Sequence, residues 1–556
     1  MANSDVVARL RALPTADKRL LKAFLGIALL CLGLGLIYGT LTAFARAGFL
    51  DLEEPIPYRL LSLHGVTIFF YWLYFAQAAL VLTLVAVYTE GVEQVAWRPI
   101  AWWGFALMTA GLVLNQTMPV LGLAVLYDAQ PELVNAEGPK AVLFYAGYSL
   151  LGLGLLLVAV AGIWTALKPR FEGKIASWSP VTFAAVAWAG LLVVSALAAL
   201  NLFLPAMRWA LGLSPMPAEY TMGWHVLFHN VHYLPLMAAV VLWYVLVEVM
   251  TGVKSIFGER FSKIVFSLYL IFVPPTSLYH MFLEPNLPDV VRVTGSLLSL
   301  FIGVPTVLVF LIVVVSLEVH ARASGGRGLF GWLKLLPWGN PAMAAVGMAV
   351  VNLALGGALS FVLIQERLAP LLSDTFFVPG YFHFLTLGTV TLTFVAAMFY
   401  VLPALAERPL WRPQLLARMP YVITFGLLVF GAAGVTAGYM GVPRRMIYVT
   451  FEGDAPAVWG TLMTVVGVGA VFMAIGLAVY VLGLVRTLLG RPAPEALEAG
   501  WPPVVAWSDV TIGRQRAWLG ALSVLVLVGA MYAFSALAFE LMESLPLGVT
   551  GGGVLH

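Results

Sequence analysis

Thirteen apolar stretches of about 20 residues or more run through this chain, and each can cross a bilayer as a helix. An isolated spanning segment has to satisfy its own backbone hydrogen bonds, and only a helix does so. Hydrophobic residues make up 61% of the 556 residues and charged residues 10%, a balance typical of membrane proteins. We therefore predict an all-α polytopic membrane protein with about 13 transmembrane helices. The predicted spans lie near residues 20–47, 61–88, 98–126, 140–167, 178–206, 221–250, 262–283, 292–317, 342–364, 380–404, 419–441, 458–486 and 516–542.

The segments between the spans are short, and no internal repeat of the kind found in many transporters is visible. The sequence therefore predicts one membrane domain over residues 1–556. Residues 1–19 are polar and charged and lack the short apolar core and cleavage site of a secretory signal. We expect them to form an N-terminal tail, with the first span retained.

Basic residues mark one side of the membrane. Of the 30 Lys and Arg residues, 22 fall in the N-terminal tail or in the loops after even-numbered spans. Because basic loops stay in the cytoplasm, this distribution predicts a multi-pass protein of the cell (plasma) membrane with a cytoplasmic N-terminus and an external C-terminus. The net charge of +3 is thus a topology signal, and the chain has no basic, aromatic-rich patch for nucleic acid. Membrane lipid is the expected surrounding, and no nucleic-acid partner is expected.

Six of the eight histidines lie in apolar spans, where a polar side chain is costly and usually functional. His64, in LSLHGVTIFFYWLYFAQAAL, and His383, in VPGYFHF, are flanked by small and aromatic residues that suit packing against a flat macrocycle. Taken singly, each is more often a histidine hydrogen-bonded between helices than a ligand.

Three more histidines share one helix face. His225, His229 and His232 in TMGWHVLFHNVHYLPL are spaced i, i+4, i+7, and His280 closes the next span. Imidazole is a good ligand for copper, zinc or iron. The stripe favours a metal site or a proton relay over a polar seam between helices.

Several motifs in order along the chain resemble subunit I of the heme-copper oxidase superfamily, in its B-type branch of cytochrome c oxidase and nitric oxide reductase relatives. They are LHG with FAQA in span two, GGRGLFGWLKLLPWGNPA at 325–342, VPGYFHF at 378–384, and VPRR with Arg444 and Arg445. The resemblance implies the heme-copper oxidase subunit I fold. It also places Arg444 and Arg445 near haem propionates at the outer side.

The resemblance implies cofactor-binding roles for two histidines. His64 and His383 occupy the positions that clamp a low-spin haem, expected here to be of b type. The family's second haem hangs from the position that holds Tyr381 in this chain. A tyrosinate can ligate haem iron, as in catalase. The alternative is that the second haem is absent or held differently.

The family's metal-B site takes one histidine from span six and an adjacent pair from span seven, which reads Tyr279-His280 here. If His229 is the span-six ligand, Tyr233 falls where oxygen-reducing members place a cross-linked tyrosine. If His225 is the ligand, His229 takes that place and the helix resembles nitric oxide reductases. The candidate metal ligands, for copper or iron, are therefore His225, His229, His232, His280 and Glu284, and the candidate catalytic tyrosines are Tyr233, Tyr279 and Tyr381.

Two functions follow from the resemblance. The first is a terminal reductase of a small gas, dioxygen or nitric oxide, with a low-spin haem and a remodelled haem and metal-B site. The second is a non-catalytic single-haem electron-transfer or scaffold subunit of a larger respiratory complex. Cys31 is the only cysteine, so the chain has neither a dinuclear copper motif nor CxxCH. We expect a cytochrome c or a copper-domain subunit II as electron donor on the outer face.

Overall fold

In the described part of the computed structural model, all regular elements are helices, apart from one isolated bridge between Thr375 and Pro443. It describes residues 3–122, 127, 138–218, 220–253, 256–276, 288–365, 367–449, 454–491 and 513–544. The α-helices, numbered in chain order from α1 to α18, are Asn3–Ala12, Thr15–Arg46, Ile56–Gly65, Leu73–Tyr88, Arg98–Val120, Gly138–Phe171, Pro180–Ala210, Tyr220–Thr251, Gly258–Thr276, Asp289–Ala323, Pro341–Leu363, Ala369–Leu372, Phe377–His383, Leu392–Ala406, Pro413–Leu416, Met419–Tyr439, Ala457–Leu489 and Leu519–Ser544.

Within these residues, eleven helices or joined helices are long and apolar enough to cross a membrane. The predicted all-α polytopic fold is confirmed, whereas the count of thirteen stays a prediction. The predicted spans near 98–126 and 262–283 correspond to α5 and α9, which are not among the eleven. Helix α5 carries polar residues such as Asn115 and Gln116, and α9 begins with Glu259, Arg260 and Lys263, so both are less apolar than the other spans.

Three spans form the centre of the bundle. The span Ile56–Tyr88 has 89% of its apolar window buried inside the protein, Tyr220–Thr251 has 83% and Phe377–Ala406 has 72%. The last span, Leu519–Met542, has only 11% buried. The three central spans are those that carry His64, the α8 histidines and His383.

Helix α13, which ends at His383, lies in direct backbone contact with α16. A Cβ atom at Gly380 would lie 2.7 Å from the backbone nitrogen of Val435 and 2.8 Å from the carbonyl carbon of Gly434. Small residues allow this approach in membrane helices, where close packing replaces the hydrophobic effect. The contact fixes where His383 stands relative to α16.

Charged groups tie helix ends together. The buried carboxylate of Glu318 in α10 accepts hydrogen bonds from the backbone N–H groups of Trp518, Leu519 and Gly520, and from Arg322 at 2.7 Å. A carboxylate is favourable at a helix N-terminus because the first N–H groups have no partner within the helix. Glu318 thereby anchors α18, the least buried span.

Candidate functional site: a facing histidine pair

Each of the two helices that carry His64 and His383 changes to a π-helix after its histidine. The first π-helix, Val66–Trp72, joins α3 to α4, and the second, Phe384–Thr391, joins α13 to α14. Segments with i to i+5 hydrogen bonds are rare and are frequently found at functional sites. The two π-helices therefore point to a functional site in the same region as the two histidines.

Both imidazoles are fixed by the same kind of hydrogen bond. The Nδ1 atom of His64 lies 2.8 Å from the carbonyl oxygen of Gly35, and that of His383 lies 2.8 Å from the carbonyl oxygen of Pro379. A carbonyl oxygen only accepts, so Nδ1 must carry the proton in both rings. In this tautomer each Nε2 keeps its lone pair, which can bind a metal ion.

The two imidazole rings lie in nearly parallel planes without touching. Their planes are parallel within 5° and their centroids lie 6.5 Å apart. Two imidazoles bound on opposite sides of one metal ion, each with a metal–nitrogen bond of about 2.0 Å, have centroids roughly 6 to 6.5 Å apart. The spacing is therefore too wide for a direct ring contact and fits a shared metal.

The surroundings of the pair leave room at the rings. Both histidines are only half-buried although they lie in the most buried spans. A Cβ atom at Gly39 of α2 would lie 2.5 Å from Cε1 of His64, and the ring of Phe430 lies 4.7 Å from that of His383. Glycine and an aromatic ring thus form the walls, and the residues present fit a haem between the histidines.

We expect Gly39→Ala to lose most of the low-spin haem, because the added methyl group would push the His64 ring out of the position that Gly35 fixes. The measurement is the haem content of the purified chain. Gly33→Ala, on the same helix as Gly39, is the matched control, since its Cβ would meet only Val481, at 3.7 Å. Equal haem content in both variants would contradict the role given to Gly39.

An arginine cluster includes Arg46, which lies within electrostatic reach of His383. Arg46, at the end of α2, donates to the carbonyl of Met446 through Nε at 2.9 Å and Nη2 at 2.8 Å, and to that of Arg444 at 3.1 Å. Arg444 forms a 2.8 Å ion pair with Asp374 and is within electrostatic reach of His225, as is Arg445. The prediction from the sequence missed Arg46, whose signal was a basic residue closing the apolar first span.

The three histidines of α8 have different neighbours. His229 is buried, with 1% of its surface exposed, and its ring lies 4.7 Å from that of Tyr233. The ring of His232 lies 3.8 Å from Phe228, 4.7 Å from Phe382 and 5.3 Å from Phe69. Among the described residues, Nε2 of His232 has no hydrogen-bond partner. His232 is thus brought beside Phe382, the residue between Tyr381 and His383.

The predicted metal-B ligands stay a prediction. Within the described ranges, no group of three or more His, Cys, Asp or Glu side chains stands close enough to hold a metal ion. Tyr279, His280 and Glu284 lie outside the described residues. The geometry therefore bears only on the α8 part of the proposed ligand set.

Tyr381 lies in an apolar cluster. It is 6% exposed, and the cluster consists of Val362, Leu363, Leu368, Leu372, Phe377, Tyr381 and Ala538. A phenol binds haem iron as phenolate, and apolar surroundings oppose a charged oxygen. The packing around Tyr381 therefore favours a neutral phenol, while Arg444 lies within electrostatic reach of its hydroxyl group.

A largely apolar cavity that also carries five hydroxyl groups lies beside Tyr233. Its polar lining consists of Tyr233, Thr276, Ser299, Thr306 and Ser360, contributed by four helices. The hydroxyl of Tyr269 lies 3.2 Å from Thr306, and Tyr244 is hydrogen-bonded to Ser262. Hydroxyl groups both donate and accept hydrogen bonds, so each of them can bind a water molecule in this cavity. Sequence patterns within single spans did not reveal it, because each span supplies only one or two members.

Comparisons with known proteins agree with the architecture. The family model described as Cytochrome C and Quinol oxidase polypeptide I matches residues 19–472. The chain belongs to this oxidase polypeptide I family. Cytochrome c oxidase subunit 1 of Thermus thermophilus is 29% identical over 513 residues, which cover 87% of each chain. The probable cytochrome c oxidase subunit 1-beta of Nocardia farcinica is 24% identical over 465 residues, covering 79% of this chain and 72% of that protein.

A solved structure supports the oxidase polypeptide I fold. A heme-copper terminal oxidase dimer studied by cryo-electron microscopy matches with a TM-score of 0.81 and 23% identity, over 97% of this chain and 94% of that chain. At this identity the likeness concerns the fold. The predicted heme-copper oxidase superfamily is confirmed, and the chain is a multi-pass membrane oxidoreductase of a respiratory family that normally binds haem and copper.

Proposed function

We propose that this oxidase polypeptide I holds a low-spin b-type haem between His64 and His383 and serves as the electron-transferring core of a terminal reductase of dioxygen or nitric oxide. The observation that carries the proposal is the pair of parallel imidazoles, 6.5 Å apart, each tied through Nδ1 to a backbone carbonyl. Two axial imidazoles leave no open position on iron, so such a haem passes electrons and binds no gas.

The chain's own residues orient and tune the site. When bound, a haem supplies reversible one-electron chemistry. The carbonyls of Gly35 and Pro379 hold both rings as neutral ligands, because a neutral acceptor takes no proton from Nδ1. Arg46, within electrostatic reach of His383, together with Arg444 and Arg445, within reach of His225, would bind propionate groups through charge-assisted hydrogen bonds.

We propose that electrons come from another protein, with a quinol bound to this chain as the alternative. With Cys31 alone, the chain has no dinuclear copper motif and no covalent haem motif. We therefore place a cytochrome c or a copper-domain subunit II at the outer face, near the arginines. The distribution of basic residues supports a cell-membrane location with the N-terminus inside and the C-terminus outside.

The gas-reducing site is proposed at the histidine-bearing face of α8. His229 and Tyr233 are adjacent there, and with His280 they would form part of a copper or iron site. The hydroxyl groups of the cavity beside Tyr233 would bind water next to this site. His225, near the arginines, and His232, beside Phe382, are the remaining candidates of the set, together with Glu284, Tyr279 and Tyr381.

One observation favours the second candidate function, a single-haem electron-transfer or scaffold subunit. Tyr381 stands where the family carries the ligand of its second haem, and its apolar packing fits a neutral phenol. Such a subunit would keep the His64 and His383 haem and pass electrons within a larger complex without binding gas.

Haem stoichiometry and carbon monoxide binding separate the two functions. A terminal reductase should contain two haems per chain by pyridine haemochrome assay, and carbon monoxide should shift the spectrum of the reduced protein, because an open iron position binds it. One haem per chain with no carbon monoxide complex would support the electron-transfer subunit and reject the reductase. A purified chain without haem would reject both.

A further inference from the structure

The two π-helices end on residues that are hydrogen-bonded to each other. Trp72, the last residue of the first π-helix, donates from Nε1 to Oγ1 of Thr391, the last residue of the second, at 3.0 Å. Trp72 follows His64 by eight residues, and Thr391 follows His383 by eight residues. The bond therefore joins the two spans at one end of the π-helices, and the histidine pair lies at the other end.

Both partners are deeply buried. Trp72 is 0% exposed and Thr391 is 3% exposed. An indole N–H buried without an acceptor loses its hydrogen bond to water with no replacement, so the bond resists separation of the two segments. Removing the hydroxyl leaves the indole donor unpaired in the middle of the bundle.

A π-helix needs such support, because its hydrogen bonds are normally less favourable than those of an α-helix. Other contacts fix each π-helix to its own neighbours. Gln116 donates to Thr67 of the first at 2.7 Å, and Asn352 donates to the carbonyl of Gly388 in the second at 3.3 Å. The Trp72 to Thr391 bond differs from these because it joins the two π-helices to each other.

We propose that Trp72 and Thr391 are a positioning pair that sets the spacing and the relative angle of the His64 and His383 rings. The inference rests on the proposed haem between these histidines. If the far ends of the π-helices separate or relax toward α-helical geometry, the histidines above them rotate about their helix axes. The rings would then leave the parallel arrangement observed at 5°.

The chain offers a matched control two residues further on. Trp243 of α8 donates from Nε1 to Oγ1 of Thr393 in α14 at 2.7 Å, and both side chains are fully buried. This bond has the same chemistry and burial, but it joins α8 to α14 and not the two segments that follow the ligand histidines. A general packing role for such bonds predicts equal effects at Thr391 and Thr393.

The experiment compares Thr391→Val and Thr393→Val in the full-length, haem-loaded protein. Electron paramagnetic resonance of the oxidised haem reports the angle between axial imidazole planes, and a redox titration reports its midpoint potential. We expect Thr391→Val to keep the low-spin haem but to shift the low-field g value and the midpoint, whereas Thr393→Val matches the wild type. Thr391→Ser, which keeps the hydroxyl, should restore the wild-type signal.

Trp72→Phe provides a second route if Thr391→Val does not fold. It should give the same shift, and the double variant should add nothing, since both changes break one bond. Equal shifts from Thr391→Val and Thr393→Val, or no shift from either Trp72→Phe or Thr391→Val, would overturn the positioning role alone. A wild-type protein without a bis-imidazole signal would overturn the proposed haem site and this inference with it.

Discussion

Replacing His383 by alanine is expected to abolish the low-spin haem, with complete loss of its absorption band in the reduced-minus-oxidised spectrum. The reason is that His64 would be left as the only axial imidazole, and the ring that Pro379 fixes would be gone. The haem content of the purified chain should fall by one haem per chain. The same loss is expected for His64→Ala.

His320→Ala is the control for this prediction. His320 is half-buried near the end of α10, where it is hydrogen-bonded to the Thr251 backbone, far along the chain from either ligand helix. Its replacement should leave the low-spin band intact. Adding imidazole to His383→Ala should restore the band if only the ligand is missing. A full band in His383→Ala without imidazole would disprove the ligand assignment.

The overall fold was largely predictable because the bilayer leaves few choices. The apolar run predicted near 380–404 is the helical segment Phe377–Ala406 in the structure, and that near 221–250 is Tyr220–Thr251. The change from α- to π-helix after His64 and His383 was not predicted. It depends on contacts between spans, such as Asn352 with Gly388, that a sequence does not display.

For a similar reason, the sequence predicted some features of the site and missed others. The rings of His64 and His383 lie close together, and their role as haem ligands stays a prediction; Arg46, which was missed, is hydrogen-bonded to the carbonyl of Arg444. The spacing of the α8 histidines predicted one shared face. The structure gives its members different surroundings, with His225 near the arginines and His232 among aromatic rings, because neighbouring spans and not helical periodicity decide what each ring meets.

Tyr381 decides between the two proposed functions, and Tyr381→His tests it most directly. If the space for a second haem survives, a histidine restores the family's ligand at this position, and a second haem with an open iron site should bind. If the wild type holds one haem per chain, as the electron-transfer subunit would, the expected result is a rise from one to two haems and a new carbon monoxide complex in the reduced protein. A neutral imidazole also suits the apolar cluster better than a phenolate would.

Tyr381→Phe is the companion variant, because it removes only the hydroxyl. If the phenol already holds a second haem, Tyr381→Phe should lose one haem and all carbon monoxide binding, while Tyr381→His keeps both. If no haem is bound there, Tyr381→Phe should match the wild type at one haem per chain. Should Tyr381→His also remain at one haem, the aliphatic residues of the cluster, such as Leu363 and Leu372, have filled the second pocket. The chain would then be an electron-transfer subunit that kept the low-spin half of an oxidase.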